Sequence, residues 1–248
     1  MKALIVTSEV TYVPRNYADL FVELVAGARE HLAGLMVLSN AEPKLWLKVM
    51  GLGALGCRNM AGTLAKNLVS LRQKSREKIF ESAGLPVYRA STMNEPAVID
   101  WVRDQSIDLI VNVRTRCIYR RDILKAPRLG CLNIHHGLLP EYRGTLCDLY
   151  ALYERRPAGF TIHVMNEKVD AGQILVRKAV SQGDDRNYLD YLARTGAEEG
   201  RALAALLNDV AALNSLPEGV PNSCAKPIYT RNPNRKQIAQ IRKAGMVL

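Results

Sequence analysis

Asn133 and His135 stand two residues apart in the stretch LNIHHGLLPEYRG, and Asp170 ends a later stretch, FTIHVMNEKVD. On a strand, residues i and i+2 point to the same side, so the amide and the imidazole project together. A turn that folds Asp170 over them would complete a group suited to acyl transfer onto an amine. The carboxylate orients the imidazole and raises its pKa. The amide and the imidazolium stabilise an oxyanion, and a proton carrier is at hand for the attacking amine. No serine or cysteine is needed when the amine is itself the nucleophile. Taken alone the pattern is a moderate signal, because a strand-end histidine with satisfied hydrogen bonds leaves the same trace.

Such side chains need strands that end at a ligand-binding edge. ALIVTS, from Ala3, is an apolar run of the kind a buried parallel strand requires. Asn16 to His31 carries Leu20, Val22, Leu24 and Val25 at helical spacing. LAGLMVLSN, LPVYRA (Leu85 to Ala90), DLIVNV and GCLNI read as the next strands. EPAVIDWVRDQ is an amphipathic helix with proline in its first turn, and RRDILKA a short one. FTIHVM and GQILVRKAV form a later strand pair, and Asp190 to Leu213 a long Ala/Leu helix. Strands alternating with helices predict an α/β fold: a Rossmann-like open, mostly parallel sheet with helices on both faces. TSEVTYVP stands where a dinucleotide fingerprint would follow the first strand, so that cofactor class is not supported. Asn133 and His135 then fall at the carboxyl edge, where open α/β sheets bind ligands. Leu138, Leu139 and Pro140 follow as an apolar wall.

The 248 residues are 48% hydrophobic, enough for one generous domain and a small appendage. The net charge of +10 points to anionic partners. Five cysteines without a CxxC pair, behind an N-terminus that reads as a strand, predict free thiols, no metal site and a cytoplasmic protein. From Pro43 to Glu81 the alternation breaks. Lys44, Lys48, Arg58, Lys66, Arg72, Lys74, Arg76 and Lys78 interleave with apolar residues in a helical segment. Gly51, Gly53 and Gly56 should interrupt that helix. An insertion packed on the sheet with a solvated cationic face is preferred to a segment lying on an anionic membrane surface. The division expected is a catalytic domain over 1–205, with 43–82 as the basic insertion, and a short extension over 206–248. The extension is basic and ends in a helix that could cap the sheet, close over the site or meet a twin subunit in a homodimer.

NIHHGLLPEYRG followed by GFTIHVMNEKVDAGQIL resembles the formyltransferases that use 10-formyltetrahydrofolate. That family runs Asn-x-His, Leu-Leu-Pro-x-x-Arg-Gly, Thr-x-His and Asp-x-Gly, and each element is present in order. The resemblance is convincing over about Leu85 to Val180. It implies that Asn133 polarises the formyl oxygen, that His135 stabilises the oxyanion and helps carry the proton, and that Asp170 sets the charge state of the histidine. It also implies that backbone around Val113, Arg114, Thr115, Arg116, Cys117 and Ile118, and around Gly137, Leu138, Leu139 and Pro140, holds the pterin. His163 is implied to be a buried, hydrogen-bonded histidine. His136 and Gly137 depart from the family pattern, and His136 should point away from His135. Arg114 and Arg116 also depart from it, and could meet a carboxylate of folate or an anionic acceptor. Arg143 is balanced between a structural ion pair and substrate contact.

The resemblance thus implies an enzyme, an N-formyltransferase with 10-formyltetrahydrofolate as co-substrate and no metal. The acceptor expected is a small-molecule amine, anionic in character: an amino sugar nucleotide, an amino-acid-type amine, or an amine on a lipid or carrier. Initiator tRNA is disfavoured, because the residues after Val180 leave little for a tRNA-contacting domain. The alternatives are a 10-formyltetrahydrofolate hydrolase, and a non-catalytic RNA- or membrane-binding module on the same fold.

Overall fold

The computed structural model describes residues 1–11, 14–39, 44–69 and 75–248. Pro43, Arg72, Lys74 and the Tyr12–Val13 part of TSEVTYVP lie outside these residues. The strands are β1 (Ala3–Ser8), β2 (Leu32–Leu38), β3 (Val87–Ala90), β4 (Leu109–Asn112), β5 (Cys131–His135), β6 (Tyr142–Gly144), β7 (Ala158–Val164), β8 (Ile174–Ser181) and β9 (Ile228–Thr230). Seven of them form one sheet in the order β3-β2-β1-β4-β5-β7-β8. The first five pair in parallel, while β7 and β8 join antiparallel at the β5 edge. This is the α/β, mostly parallel sheet expected from the alternating pattern.

The helices are α1 (Pro14–Ala28), α2 (Lys44–Ala54), α3 (Arg58–Val69), α4 (Ser75–Ser82), α5 (Pro96–Asp104), α6 (Arg121–Leu124), α7 (Cys147–Tyr153), α8 (Tyr188–Leu213) and α9 (Arg235–Lys243). One sheet face packs Ile5, Leu35, Val111, Leu132, Ile134 and Phe160 against Leu20, Phe21, Leu24, Phe80 and Leu207 of α1, α4 and α8. The other packs Leu4, Val6, Met36, Ile110 and Cys131 against Val98, Ile99, Val102 and Ile123 of α5 and α6. Neighbouring residues of one strand therefore enter opposite cores, which is why the central strands read as unbroken apolar runs. Phe21 and Phe80 meet edge to face at 5.3 Å, adding about 1 kcal/mol beyond their burial. α8 begins two residues before the expected Asp190, because the Asn187 side chain accepts from the Leu189 and Asp190 N–H groups as a cap. It runs through residue 205 without a break.

The insertion departs from its expected form. Its described residues form three helices, the first two parted at Gly56, which has a positive φ of 75°, whereas Gly51 and Gly53 lie inside α2. Among its parts α4 packs against α1 and the sheet edge. α2 and α3 instead pair with each other. Leu64 of α3 closes on Val10, and Cys57, Leu55 and Met60 join Ile238 and Ile241 of α9. Trp46, Leu47 and Met50 of α2 remain exposed.

Short elements that periodicity does not reveal lie around the site. β6 pairs in parallel with β9, Arg143 facing Tyr229, so the C-terminal segment is clamped to the loop after β5. Among the described residues no helix is long and apolar enough to cross a membrane.

Candidate active site

The sheet register places three polar side chains in one row. Asn112 of β4 is the partner of Asn133 of β5, and Asn133 is the partner of His163 of β7. His135 stands two pairs further along, opposite Thr161. Asn112, Asn133 and His135 share the parity of Ile110 and Cys131, which face the core under α5 and α6. Asn133 accepts from Asn112 Nδ2 at 2.8 Å and approaches His163 Nε2 at 3.1 Å through its own Nδ2.

Asp170 arrives from the connection between β7 and β8, with a left-handed φ of 52°. Aspartate tolerates that region better than most residues. Two features hold it there. Arg143 donates to the Asp170 carbonyl and to Asn222. Gly172 passes so close to β7 that a Cβ there would sit 1.8 Å from the Val164 carbonyl oxygen, so the connection can close only with glycine. Asp170 Oδ1 then lies 3.6 Å from both His135 Nδ1 and His163 Nε2, and the Gly144 N–H donates to Oδ2 at 3.3 Å. The three residues named from sequence thus converge.

Their electrostatics differ from expectation in one respect. The carboxylate was expected to raise the pKa of His135. Asp170 does act that way, but burial is the larger influence and holds His135 below its ordinary value. His135 is 5% exposed. Its Nε2–H donates to the Tyr142 carbonyl at 3.0 Å, which leaves Nδ1 as a bare lone pair toward Asp170. Burial pushes the Asp170 carboxyl up, but His163, His135 and the Gly144 N–H outweigh it and hold the group below the usual carboxylate range. An uncharged imidazole beside a fixed carboxylate can accept a proton at Nδ1, and its charged form is then stabilised in place.

The proposed pterin-holding segments are placed as follows. In the second, Gly137 O accepts from Thr161, Leu139 N–H donates to Thr161, Leu139 O accepts from Arg177, and Pro140 O accepts from Cys224. Its backbone groups are thus bonded within the protein, and Leu138 and Leu139 are buried. In the first, Val113 is buried and Ile118 is 71% exposed. The Thr115 N–H donates to the Asn112 side chain at the end of β4, and the Cys117 N–H donates to the Thr115 hydroxyl. Arg116 is exposed. Arg114 does not reach outward. It pairs with Glu199 of α8 at 3.0 Å and lies over the Tyr17 ring at 4.2 Å. Arg143 makes bonds to carbonyl groups rather than the ion pair weighed above, because Asn222 and Asp170 present backbone oxygens to it.

His136 turns to the α8 face, opposite His135, as strand parity predicts. There it joins a buried ionic group: Glu199 at 2.8 Å, Asp148 of α7 at 3.3 Å, and Arg114. Tyr188 donates to Asp148 at 2.8 Å. Burial and Arg114 act to lower the pKa of His136, but Glu199 and Asp148 prevail and hold it above its ordinary value. With His136 charged, two cations face two carboxylates. Sequence reasoning missed Asp148 and Glu199. It also missed Asn112, although a lone asparagine inside the apolar run LIVNV must have a partner and so carried a signal. All five cysteines are free, and burial pushes Cys147 up to about 12, which removes it as a nucleophile. A cleft of about 520 Å³ runs along Met165 to Lys168, just before Asp170, with Arg121 and Lys125 opposite.

A mostly parallel α/β sheet thus brings an amide and an imidazole of β5 together with a carboxylate from the β7–β8 connection. The sequence matches the family described as Formyl transferase over residues 61–207, more than half of its 248 residues, and the chain belongs to that family. It is 36% identical over 124 residues to methionyl-tRNA formyltransferase of Geobacter metallireducens, covering 48% of this chain and 40% of that protein. It is 34% identical over 158 residues to the same enzyme of Geobacillus thermodenitrificans, covering 62% and 48%. The chain thus spans less than half the length of these curated relatives. Its structure is similar to a sugar N-formyltransferase from Shewanella sp. (19% identity, 98% of this chain and 87% of that one, TM-score 0.58). It is likewise similar to glycinamide ribonucleotide transformylase 1 from Symbiobacterium toebii (19% identity, 88% and 91%, TM-score 0.59). At such identity the likeness concerns the fold.

Proposed function

We propose that the protein transfers a formyl group from 10-formyltetrahydrofolate to a primary amine. The observation that carries this reading is the convergence of Asn133, His135 and Asp170 at one strand end. Asn133 Nδ2–H donates to the formyl oxygen as the amine attacks. His135 takes the amine proton at Nδ1, Asp170 stabilises the imidazolium that forms, and the same proton is returned to N10 as the bond from the formyl carbon to N10 breaks and tetrahydrofolate leaves. The folate lies against the loops at 113–118 and 137–140, the second offering an apolar wall more than free backbone groups. The residues that would hold the co-substrate are compatible with its mixed apolar and polar surface; its reactive formyl group supplies the carbon that moves. Among the described residues no group of three His, Cys, Asp or Glu side chains is placed to hold a metal ion.

The acceptor is read as an anionic amine, on the strength of the +10 charge. An aminoacyl-tRNA is a second reading, favoured by the named activity of the curated relatives. The test is release of tetrahydrofolate on mixing the protein with 10-formyltetrahydrofolate and separate panels of amino sugar nucleotides, amino acids and methionyl-tRNA. Acceptor-dependent release supports the transferase and names the acceptor class. Equal release without any amine points to hydrolysis, and absence of folate binding overturns the reading.

A pH profile gives an independent check. The base works when uncharged, so kcat/KM rises with pH through the pKa of His135. Burial holds that pKa down. The acid limb shared by all active acceptors is therefore expected below about 6.5, the ordinary histidine value. A shared limb above pH 7 would contradict the assignment.

A further inference from the structure

We infer that Asn112 is a positioning residue that decides which end of the Asn133 carboxamide faces the reaction. This rests on the reading of Asn133 as the group that meets the formyl oxygen. The two ends of a carboxamide are alike in shape and opposite in role, and only the NH₂ end can donate to a developing oxyanion. Its orientation must therefore be imposed by neighbours.

The structure imposes it from both ends of one hydrogen-bonded row. A backbone N–H can only donate, and that of Thr115 donates to Asn112 Oδ1 at 3.3 Å. The Thr115 hydroxyl donates to the same oxygen at 2.7 Å. Asn112 is thereby turned with its NH₂ toward β5, where it donates to Asn133 Oδ1 at 2.8 Å. Asn133 in turn presents its NH₂ to His163 Nε2 at 3.1 Å. At the far end the Val164 carbonyl can only accept, and it faces His163 Nδ1 at 2.9 Å. Nδ1 therefore carries the hydrogen, and Nε2 of an uncharged ring is the acceptor that Asn133 needs. Asp170 Oδ1 lies 3.6 Å from the same nitrogen, farther away than Asn133 Nδ2 at 3.1 Å.

Two backbone groups, one in the loop after β4 and one at the end of β7, thus require the same polarity. The row exists because Asn112, Asn133 and His163 are register partners. One N–H of Asn133 is spent on His163, and the second has no protein acceptor among the described residues. Asn112 itself is 4% exposed, so water does not readily replace it.

The test compares Asn112→Ala with Asn112→Asp, assayed at pH 8 beside Asn133→Ala. An aspartate keeps the shape and both bonds from Thr115. With three donors around it the carboxylate is ionised, and it then accepts from Asn133 instead of donating to it, turning the amide over. Alanine merely removes the guide. The expected order of kcat is wild type, then Asn112→Ala about 10-fold lower, then Asn112→Asp about 10²-fold lower, the scale of losing one oxyanion donor. Affinity for 5-formyltetrahydrofolate, an unreactive analogue, should stay within about 3-fold throughout, as expected for an interaction made only in the transition state. A merely structural Asn112 gives the opposite order, since the isosteric variant would be the milder; Asn112→Asp as active as Asn112→Ala would overturn the inference. Wild-type kcat in Asn133→Ala would remove the underlying reading and the inference with it. Should the Asn112 variants not fold, ¹⁵N NMR of the wild-type protein decides. The Nδ1–H tautomer of His163 is expected, and an Nε2–H ring would overturn the polarity.

Discussion

Replacing Asp170 by asparagine is expected to lower kcat for formyl transfer about 10³-fold, within the range by which a positioned acid–base group accelerates a reaction. Asparagine keeps the size of the side chain and can still accept the Gly144 N–H, which lies 3.3 Å from Asp170 Oδ2. What it loses is the negative charge 3.6 Å from His135 Nδ1. The imidazolium formed as the amine gives up its proton is then unopposed in a buried site. Burial already depresses the pKa of His135, and Asp170 is the largest influence acting upward. Its removal should move the acid limb of kcat/KM to still lower pH, while the plateau falls. Folate binding should change little, because the lost interaction strengthens only along the reaction. A kcat within about 5-fold of wild type would show that proton transfer does not pass through this pair.

Glu199→Ala should be the most destabilising single substitution in the sheet-facing part of α8, at about 3–5 kcal/mol. For a chain of this size that is a fall in Tm of about 6–20 °C. The Glu199 side chain is fully buried, and Arg114 beside it is 11% exposed. Removing the carboxylate leaves Arg114 and His136 facing Asp148 alone. The charge imbalance, more than the lost contact, sets the size of the effect. Pairing Glu199→Met with Arg114→Met removes one charge of each sign and should recover at least half of the loss, since such groups are often replaceable by apolar ones. His136 adds a pH signature. Its folded pKa is raised, so its contribution is complete below about 6.5 and is lost as pH rises through the folded value. Urea unfolding of the three proteins at pH 6 and 8 measures all of this. A cost below about 1 kcal/mol for Glu199→Ala would mean that the group is hydrated and weakly coupled.

The residues of the candidate site were legible because strand parity is local. Asn133 and His135 share a side and His136 takes the other, which follows from a two-residue period without knowledge of the neighbouring strands. The Asp-x-Gly connection was legible for a similar reason. Gly172 is required by a close approach within a single hairpin. The alternating apolar runs and helical stretches likewise carried the sheet and most helix positions. The break at Gly56 was read correctly, but the packing of α2 and α3 was not, because their partners Ile238 and Ile241 lie far along the chain.

By itself, then, the sequence determined the α/β class, the strand that presents Asn133 and His135, and the free state of its cysteines. These depend on patterns within a few residues of one another. The tertiary structure alone decided that burial outweighs Asp170 at His135, that Arg114 turns inward to Glu199 rather than outward to a ligand, and that Asn112 stands beside Asn133. Each of these is set by distances between residues on different elements. Glu199, for example, looks like a surface residue of a long helix. It becomes a buried counter-ion only where Gly196 and Gly200 let α8 lie directly on the backbone of α1 at Asn16 and Leu20.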